Sequence, residues 1–362
     1  MFFLSTIRTD ENLTKKVPSY TKSVSPSQRS IVFVHVGKAG GDTIRGTLRS
    51  SCTWSPYEHI RRQCRDEMHS NQPETALSRS MMGVIHTKRR YPIHGAQQAT
   101  TFLWSVRNPI DRITSWFYYS HPRNCGLVDS KSPACAIQQK QHGGWAYDFY
   151  IKCFSDINDF AFALNHHNQG TYLEDPMKKK KKKKKKKKTM MTITTNATTT
   201  KTTTGMSCTE IAHLGLSGNI PDAGHLYYNY RYYANLTILA YPWKEILVVR
   251  AEHLWKDLQT IENLLWGGGP VLRNEDYVNH THGSEKSYRS SLSSAGSKIL
   301  CCHLHEEIRI YLRVLGQGLN LNDVDRESSL QSLLTTCGVD SFHQLQKDCD
   351  WPWMGVSEWF HS

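Results

Sequence analysis

The stretch Phe33-Val34-His35-Val36-Gly37-Lys38-Ala39-Gly40-Gly41-Asp42-Thr43-Ile44 decides how this chain is read. The β-branched apolar run from Ile31 to Val36 ends at Gly37 and reads as a buried strand. A lysine and two glycines follow, and a helix is expected to begin near Asp42 or Thr43. Glycine lets backbone N–H groups turn towards a bound anion. The helix N-terminus adds the positive end of its dipole, and Lys38 adds a full charge. These residues predict an anion-binding loop between a strand and a helix. In the Walker nucleotide loop the lysine follows the glycines, whereas here it comes first, which tells against an ordinary ATPase or kinase. A glycine turn with an incidental lysine stays open on these residues alone.

A second element strengthens the first. In Ser105-Val106-Arg107-Asn108-Pro109-Ile110-Asp111-Arg112-Ile113-Thr114-Ser115-Trp116, a strand reading TFLWSV (Thr101 to Val106) runs into Asn108-Pro109, a helix cap and a helix-starting proline. Arg107 falls at the carboxyl end of the strand, and Ser115 about two turns into the helix. Ligands of open α/β sheets lie at that end. A guanidinium can grip a phosphate in two-pronged fashion, and a helix hydroxyl can add a contact. Two phosphate-binding elements suit a nucleotide with phosphates at both ends. The plain alternative for Arg107 is a surface ion pair with Asp111.

Further strands are expected at Met81 to Ile85, ending at His86, and at Glu245 to Val249. Helical spacing runs through Ile110, Ile113 and Phe117, through Leu254, Leu258, Ile261, Leu264 and Leu265, and along one long helix near 297–315. Leu226 to Leu239 reads as helix. Strands alternating with helices predict an α/β domain: a P-loop-like three-layer sandwich around a mostly parallel sheet. The expected organisation is a flexible leader at 1–30, a domain at 31–345 interrupted by a low-complexity insert at 176–206, and a tail at 346–362. The insert carries eleven consecutive lysines, Lys178 to Lys188, and a threonine-rich run. It has no apolar face to bury.

Composition narrows the function classes. The 362 residues carry a formal charge of +13, and removing the lysine run leaves 13 − 11 = +2. The basic balance belongs to one tract, so a basic nucleic-acid-binding domain is not expected. No apolar run approaches the roughly 18 residues a membrane helix needs. The apolar start Met1-Phe2-Phe3-Leu4 is short for a signal peptide. Ten cysteines include the sequence-close pairs Cys52/Cys64, Cys125/Cys135 and Cys337/Cys349, which would suit disulfides. With sequons at Asn12, Asn196, Asn235 and Asn279, they lean towards an oxidising compartment. Cys301, Cys302, His303 and His305 spread around a helix, and no metal is expected.

FVHVGKAGGDTI resembles the 5′-phosphosulfate loop of sulfotransferases that use 3′-phosphoadenosine 5′-phosphosulfate. The Golgi carbohydrate sulfotransferases are the most similar branch. SVRNPIDRITSW resembles that family's 3′-phosphate motif, R-[DN]-P-x-x-R-x-x-S, with Arg107 and Ser115 at the family spacing. EILVVRAEHLWKDLQTIENLLWGG resembles its late strand and helix. The resemblance spans about residues 31–345 outside the insert and implies the same fold. It implies that Lys38, Ala39, Gly40, Gly41, Asp42 and Thr43 hold the 5′-phosphate and that Arg107 and Ser115 hold the 3′-phosphate. It also implies a carbohydrate acceptor and a place in the Golgi lumen, held by an N-terminal membrane helix that residues 1–30 do not show. A cytosolic protein is the alternative. Asp42 departs from the pattern, standing where many relatives have Thr or Ser. A carboxylate there can cap the helix, but it would face an anionic ligand. A catalytically silent nucleotide- or glycan-binding relative is therefore the rival reading.

Sulfuryl transfer requires the acceptor hydroxyl to lose a proton, and His86, at the end of MMGVIH, is the first candidate base. His94 is the reserve. Lys88, Arg89 and Arg90 suit an anionic acceptor, and Lys286 is a candidate for a late loop over the donor.

Overall fold

A computed structural model describes residues 29–41, 43–44, 75–86, 97–125, 144–165, 205–266 and 291–352. The expectations for Asp42, Lys88, Arg89, Arg90, His94, Lys286, nearly all of the leader, the insert up to residue 204, and the end of the tail fall outside them.

Four strands form one sheet: β1 (Ile31–Val34), β2 (Met81–Ile85), β3 (Thr101–Val106) and β4 (Glu245–Arg250). Their order is β2-β1-β3-β4 and every pairing is parallel. Ile31 to Val34 pair with Thr101 to Trp104, which pair in turn with Glu245 to Val248. Parallel central strands are buried on both faces, which explains their unbroken apolar runs. Val32, Val34, Phe102, Trp104, Val106, Ile246 and Val248 enter the larger core on one face. Ile31, Phe33, Leu103, Leu247 and Val249 enter a smaller core on the other.

The larger core is covered by α1 (Pro109–Ser120), α2 (Ile157–Asn165), α3 (Cys208–Leu216), α4 (Tyr230–Leu236), α6 (Ser294–His303), α7 (His305–Gln317), α8 (Asp323–Cys337) and α9 (Phe342–Cys349). The smaller is covered by α5 (Leu254–Leu264) and the single turn Ala76–Ser80. The result is the three-layer α/β sandwich expected from the alternation of strands and helices. α5 buries Leu254, Leu258 and Ile261, the spacing legible in the sequence.

Asn108 caps α1 as expected. Its Oδ1 accepts from the Ile110 amide at 3.0 Å, and Pro109 occupies the first helical position. Two expectations need correction. The helix near 297–315 is two helices, α6 and α7, broken at Leu304 (φ −98°, ψ 24°). No proline or glycine marks the break, so periodicity reads through it. The segment 226–239 is helical only over α4, preceded by a 3₁₀ segment, Pro221–Leu226.

The disulfides also correct the expectation. Cys337 bonds Cys301 and Cys349 bonds Cys302, rather than Cys337 bonding Cys349. α8 and α9 both pack on α6, so two adjacent thiols of α6 reach two different helices. A third bridge, Cys153–Cys208, spans the insert. Cys125 is also disulfide-bonded, while Cys52, Cys64 and Cys135 fall outside the described residues. Through Cys349, and through Trp351 buried beside Phe342, the packing continues past residue 345.

The Cys301–Cys337 bridge joins residues 36 apart. A loop of that length gives about 4 kcal/mol of unfolded-state constraint in the chain-entropy model, and measured values usually fall lower. Replacing both cysteines with serine is expected to lower the unfolding free energy by about 2–4 kcal/mol. Urea titrations of the oxidised parent and the double variant read this directly; equal midpoints would refute it.

A pH effect follows from His121, buried at the end of α1. Its Nδ1 accepts from the Arg123 amide at 3.2 Å. Burial first, then the Arg123 charge, push its pKa from 6.5 to about 4, against smaller opposing effects from Asp156 and the Phe154 and Ser155 backbone. The unfolded chain then binds the proton that the folded chain rejects. The stability present above pH 6.5 is lost as pH falls through the window down to about 4. The loss between pH 7 and pH 5 is expected to be about 2 kcal/mol. His121→Gln should flatten that part of a stability–pH curve; an unchanged slope would refute the assignment.

Candidate active site at the carboxyl edge of the sheet

Because the strands are parallel, their carboxyl ends meet on one edge. β1 delivers His35 to Gly41, β2 delivers His86, β3 delivers Arg107, and β4 delivers Ala251 and Glu252. The loop after β1 is held from below, where the Val36 amide donates to Ser105 Oγ at 3.2 Å. The Ala39 amide turns back to the Val36 carbonyl at 3.2 Å, and the Ile44 amide reaches the Gly40 carbonyl at 3.1 Å. Helical backbone begins at Gly41, about where the sequence places it. The amides of Gly40 and Gly41 have no hydrogen-bond partner among the described residues. They are the orphan donors of a helix N-terminus, aimed along the positive end of its dipole.

Two loop residues adopt left-handed backbone: Gly40 (φ 75°) and Lys38 (φ 69°). For lysine that conformation costs about 1 kcal/mol, so the fold holds Lys38 where an unconstrained chain would not. The Lys38 ammonium lies over the Tyr119 ring of α1, 2.8 Å from its centroid. The Arg107 guanidinium points back to the loop, its Nη1 3.5 Å from the Lys38 carbonyl. The two motifs are therefore one surface.

Arg107 is placed through its backbone. Its amide donates to the Tyr230 hydroxyl at 2.8 Å, and that hydroxyl donates to the Arg107 carbonyl at 2.7 Å. Burial pushes the Tyr230 pKa far up, so the hydroxyl keeps its proton. Arg107 makes no ion pair with a carboxylate among the described residues, Asp111 included. Asp111 and Glu252 only share its field, and burial raises the pKa of both. The guanidinium is thus not consumed by the fold. Ser115 stands half-buried on α1, its hydroxyl without a hydrogen-bond partner among the described residues.

Arg112, the second arginine of the motif, is different. It is fully buried, paired with Glu307 at 2.7 Å and bonded to the His225 carbonyl at 2.8 Å. Glu307 also accepts from the amides of Tyr230 and Arg231, capping α4. One network therefore ties α1 to α7 and α4.

Three imidazoles surround the loop. His86 Nδ1 sits 3.0 Å from the His35 carbonyl, and the two rings stack at 3.9 Å. The His225 ring lies 5.8 Å from that of His86. The glycines make room for them: a Cβ on Gly37 would fall inside the His225 ring, and one on Gly41 inside the His35 ring.

Residues 23–141 match the model of the sulfotransferase family. This segment is similar to that family. It holds β1, β2, β3 and every candidate residue from Lys38 to Ser115. No curated protein and no solved structure matches the chain. β4, His225, Tyr230 and Glu307 complete the edge from beyond the matched segment. Sequence reading missed His225, Tyr230 and Tyr119. His225 lies far from the loop in sequence, and no local pattern marks it. Among the described residues no group of side chains is arranged to hold a metal, and Cys301 and Cys302 are spent in disulfides.

Proposed function

We propose that this chain transfers a sulfuryl group from 3′-phosphoadenosine 5′-phosphosulfate to a carbohydrate hydroxyl. The observation that carries the reading is the meeting of three anion-binding features inside the matched segment. These are the Gly40 and Gly41 amides, the Lys38 ammonium, and an Arg107 guanidinium that has no ion pair among the described residues. The donor, when bound, supplies a sulfuryl group joined to a phosphate leaving group. Gly40 and Gly41, with the Thr43 hydroxyl, hold the 5′-phosphate. Ala39, its amide turned back to Val36, shapes the loop. Arg107 and Ser115 hold the 3′-phosphate. Lys38 stabilises the negative charge that develops on the bridging oxygen as the S–O bond breaks.

His86 acts as base. A carbonyl can only accept, so the Nδ1 facing the His35 carbonyl carries the proton and Nε2 is the basic nitrogen. Nε2 takes the acceptor hydroxyl's proton as that oxygen bonds sulfur, with the bisphosphate nucleotide leaving in line. His94 is the reserve base. Lys88, Arg89 and Arg90 favour an anionic glycan, and Lys286 belongs to the donor side.

The disulfides Cys153–Cys208, Cys301–Cys337 and Cys302–Cys349 support an oxidising compartment, and the Golgi lumen is the proposed place of action. Asn235 is exposed on α4, open to glycan addition. No helix among the described residues is long and apolar enough to cross a membrane.

Calorimetry with the desulfated nucleotide tests donor recognition, and labelled donor on a glycan panel tests transfer. Binding without transfer to any glycan would instead favour a silent binder in which Asp42 has impaired the loop. Arg107→Ala is expected to weaken nucleotide binding about 10- to 100-fold, the loss of a charge-assisted pair, with the acceptor KM unchanged. An effect confined to the acceptor would move Arg107 out of the nucleotide site.

A further inference from the structure

We propose that His225 is a further residue of the transfer site, donating its ring N–H to the sulfuryl group, with Arg112 as its positioning residue. The proposal rests on the sulfuryl-transfer reading above and assigns a residue outside the family segment to that site.

Four observations carry it. First, Gly37 has no left-handed backbone to explain it, yet a side chain there would occupy the space of the His225 ring. The loop is thus shaped around this imidazole. Second, the ring is delivered by a specific device. Gly224 takes φ 58°, and the next carbonyl, that of His225, is fixed by the buried Arg112, itself paired with Glu307. Third, the charged and titratable groups that act most strongly on the ring are Lys38, His86, His35 and Arg112, all of them basic. Such a cluster suits an anion. Fourth, His225 Nδ1 is buried without a hydrogen-bond partner. Buried N–H groups are almost always paired, so Nδ1 carries the lone pair and the proton sits on Nε2.

The chemistry follows from the surroundings. Burial first, and then Lys38, His86, His35 and Arg112, hold the His225 pKa well below 6.5. The ring is neutral at physiological pH and disfavours taking a second proton. It is a donor and not a second base, which leaves proton removal to His86. A donor aimed at the sulfuryl oxygens strengthens as charge builds on them in the transition state.

The test compares His225→Ala, His225→Asn and His225→Gln in the full chain. Turnover of labelled donor is expected to fall about 100-fold in His225→Ala. Affinity for the desulfated nucleotide, which lacks the sulfuryl group, should stay within about twofold. His225→Gln places an amide N–H near the Nε2 position and should recover most of the loss; His225→Asn should not. Equal losses of turnover and nucleotide affinity, or no rescue by glutamine over asparagine, would overturn the proposal in favour of a packing role. Turnover in His225→Ala equal to that of the parent would also overturn it. A parent chain that neither binds the nucleotide nor transfers sulfate would instead refute the sulfuryl-transfer reading itself.

Discussion

Lys38→Ala is expected to lower sulfuryl transfer about 100- to 1,000-fold, the usual loss for removing one preorganised donor at a developing charge. The protein should stay folded, because the ammonium lies over Tyr119 at a half-buried position and belongs to neither apolar core. A control separates the charge from the backbone. Lys38 sits at φ 69°, a conformation glycine adopts freely. Lys38→Gly should therefore relieve about 1 kcal/mol of strain while losing transfer as fully as alanine does. Labelled-donor turnover and a thermal melt of each variant decide the matter. Parental turnover in either variant would remove Lys38 from the chemistry.

Arg250→Ala carries the largest expected effect on stability. Arg250 is fully buried at the end of β4. Its Nη2 bonds Asp257 at 2.7 Å and Asp325 at 2.9 Å, its Nε bonds Asp257 at 2.9 Å, and its Nη1 reaches the Asp325 carbonyl at 2.9 Å. Removing the guanidinium leaves Asp257 buried without its charged partner, keeping only the backbone amide of residue 250 at 2.8 Å. Breaking such a pair from one side costs about 3–5 kcal/mol. Lys256, also bonded to Asp325, keeps that carboxylate partly compensated. The consequence reaches the site, since Ala251, the next residue, packs beside Gly40. Chemical denaturation of Arg250→Ala, and of Arg250→Met combined with Asp257→Leu, tests the account. The double variant should recover much of the loss. A single-variant cost below 1 kcal/mol would show that the network is not held as described.

The local parts of the site were readable because their causes are local. Asn108 and Pro109 start α1 with contacts made within a few residues. The lysine-first loop turns on its own glycines, and Arg107 and Ser115 lie either side of the cap that starts α1. Burial on both faces of a parallel sheet made the strands read as apolar runs. Where the reading went astray, the deciding contact was distant. The pairing of Cys337 depends on which helix packs against α6, and the break at Leu304 has no breaking residue. The role of Arg112 needs Glu307 and the His225 carbonyl, neither of which its own helix supplies.

By itself the sequence determined a three-layer α/β sandwich, a lysine-first glycine loop after β1 and an arginine after β3, since short-range sterics, capping and periodicity set all three. Tertiary structure alone decided that Lys38 and Arg107 share one surface and that Gly37 and Gly41 make room for histidines. It also decided that Tyr230 clamps the Arg107 backbone. Each of these is a contact between segments brought together only by sheet order and helix packing. No residue type announces such a partner, because the same glycine or tyrosine satisfies many neighbours, and only the folded chain selects one.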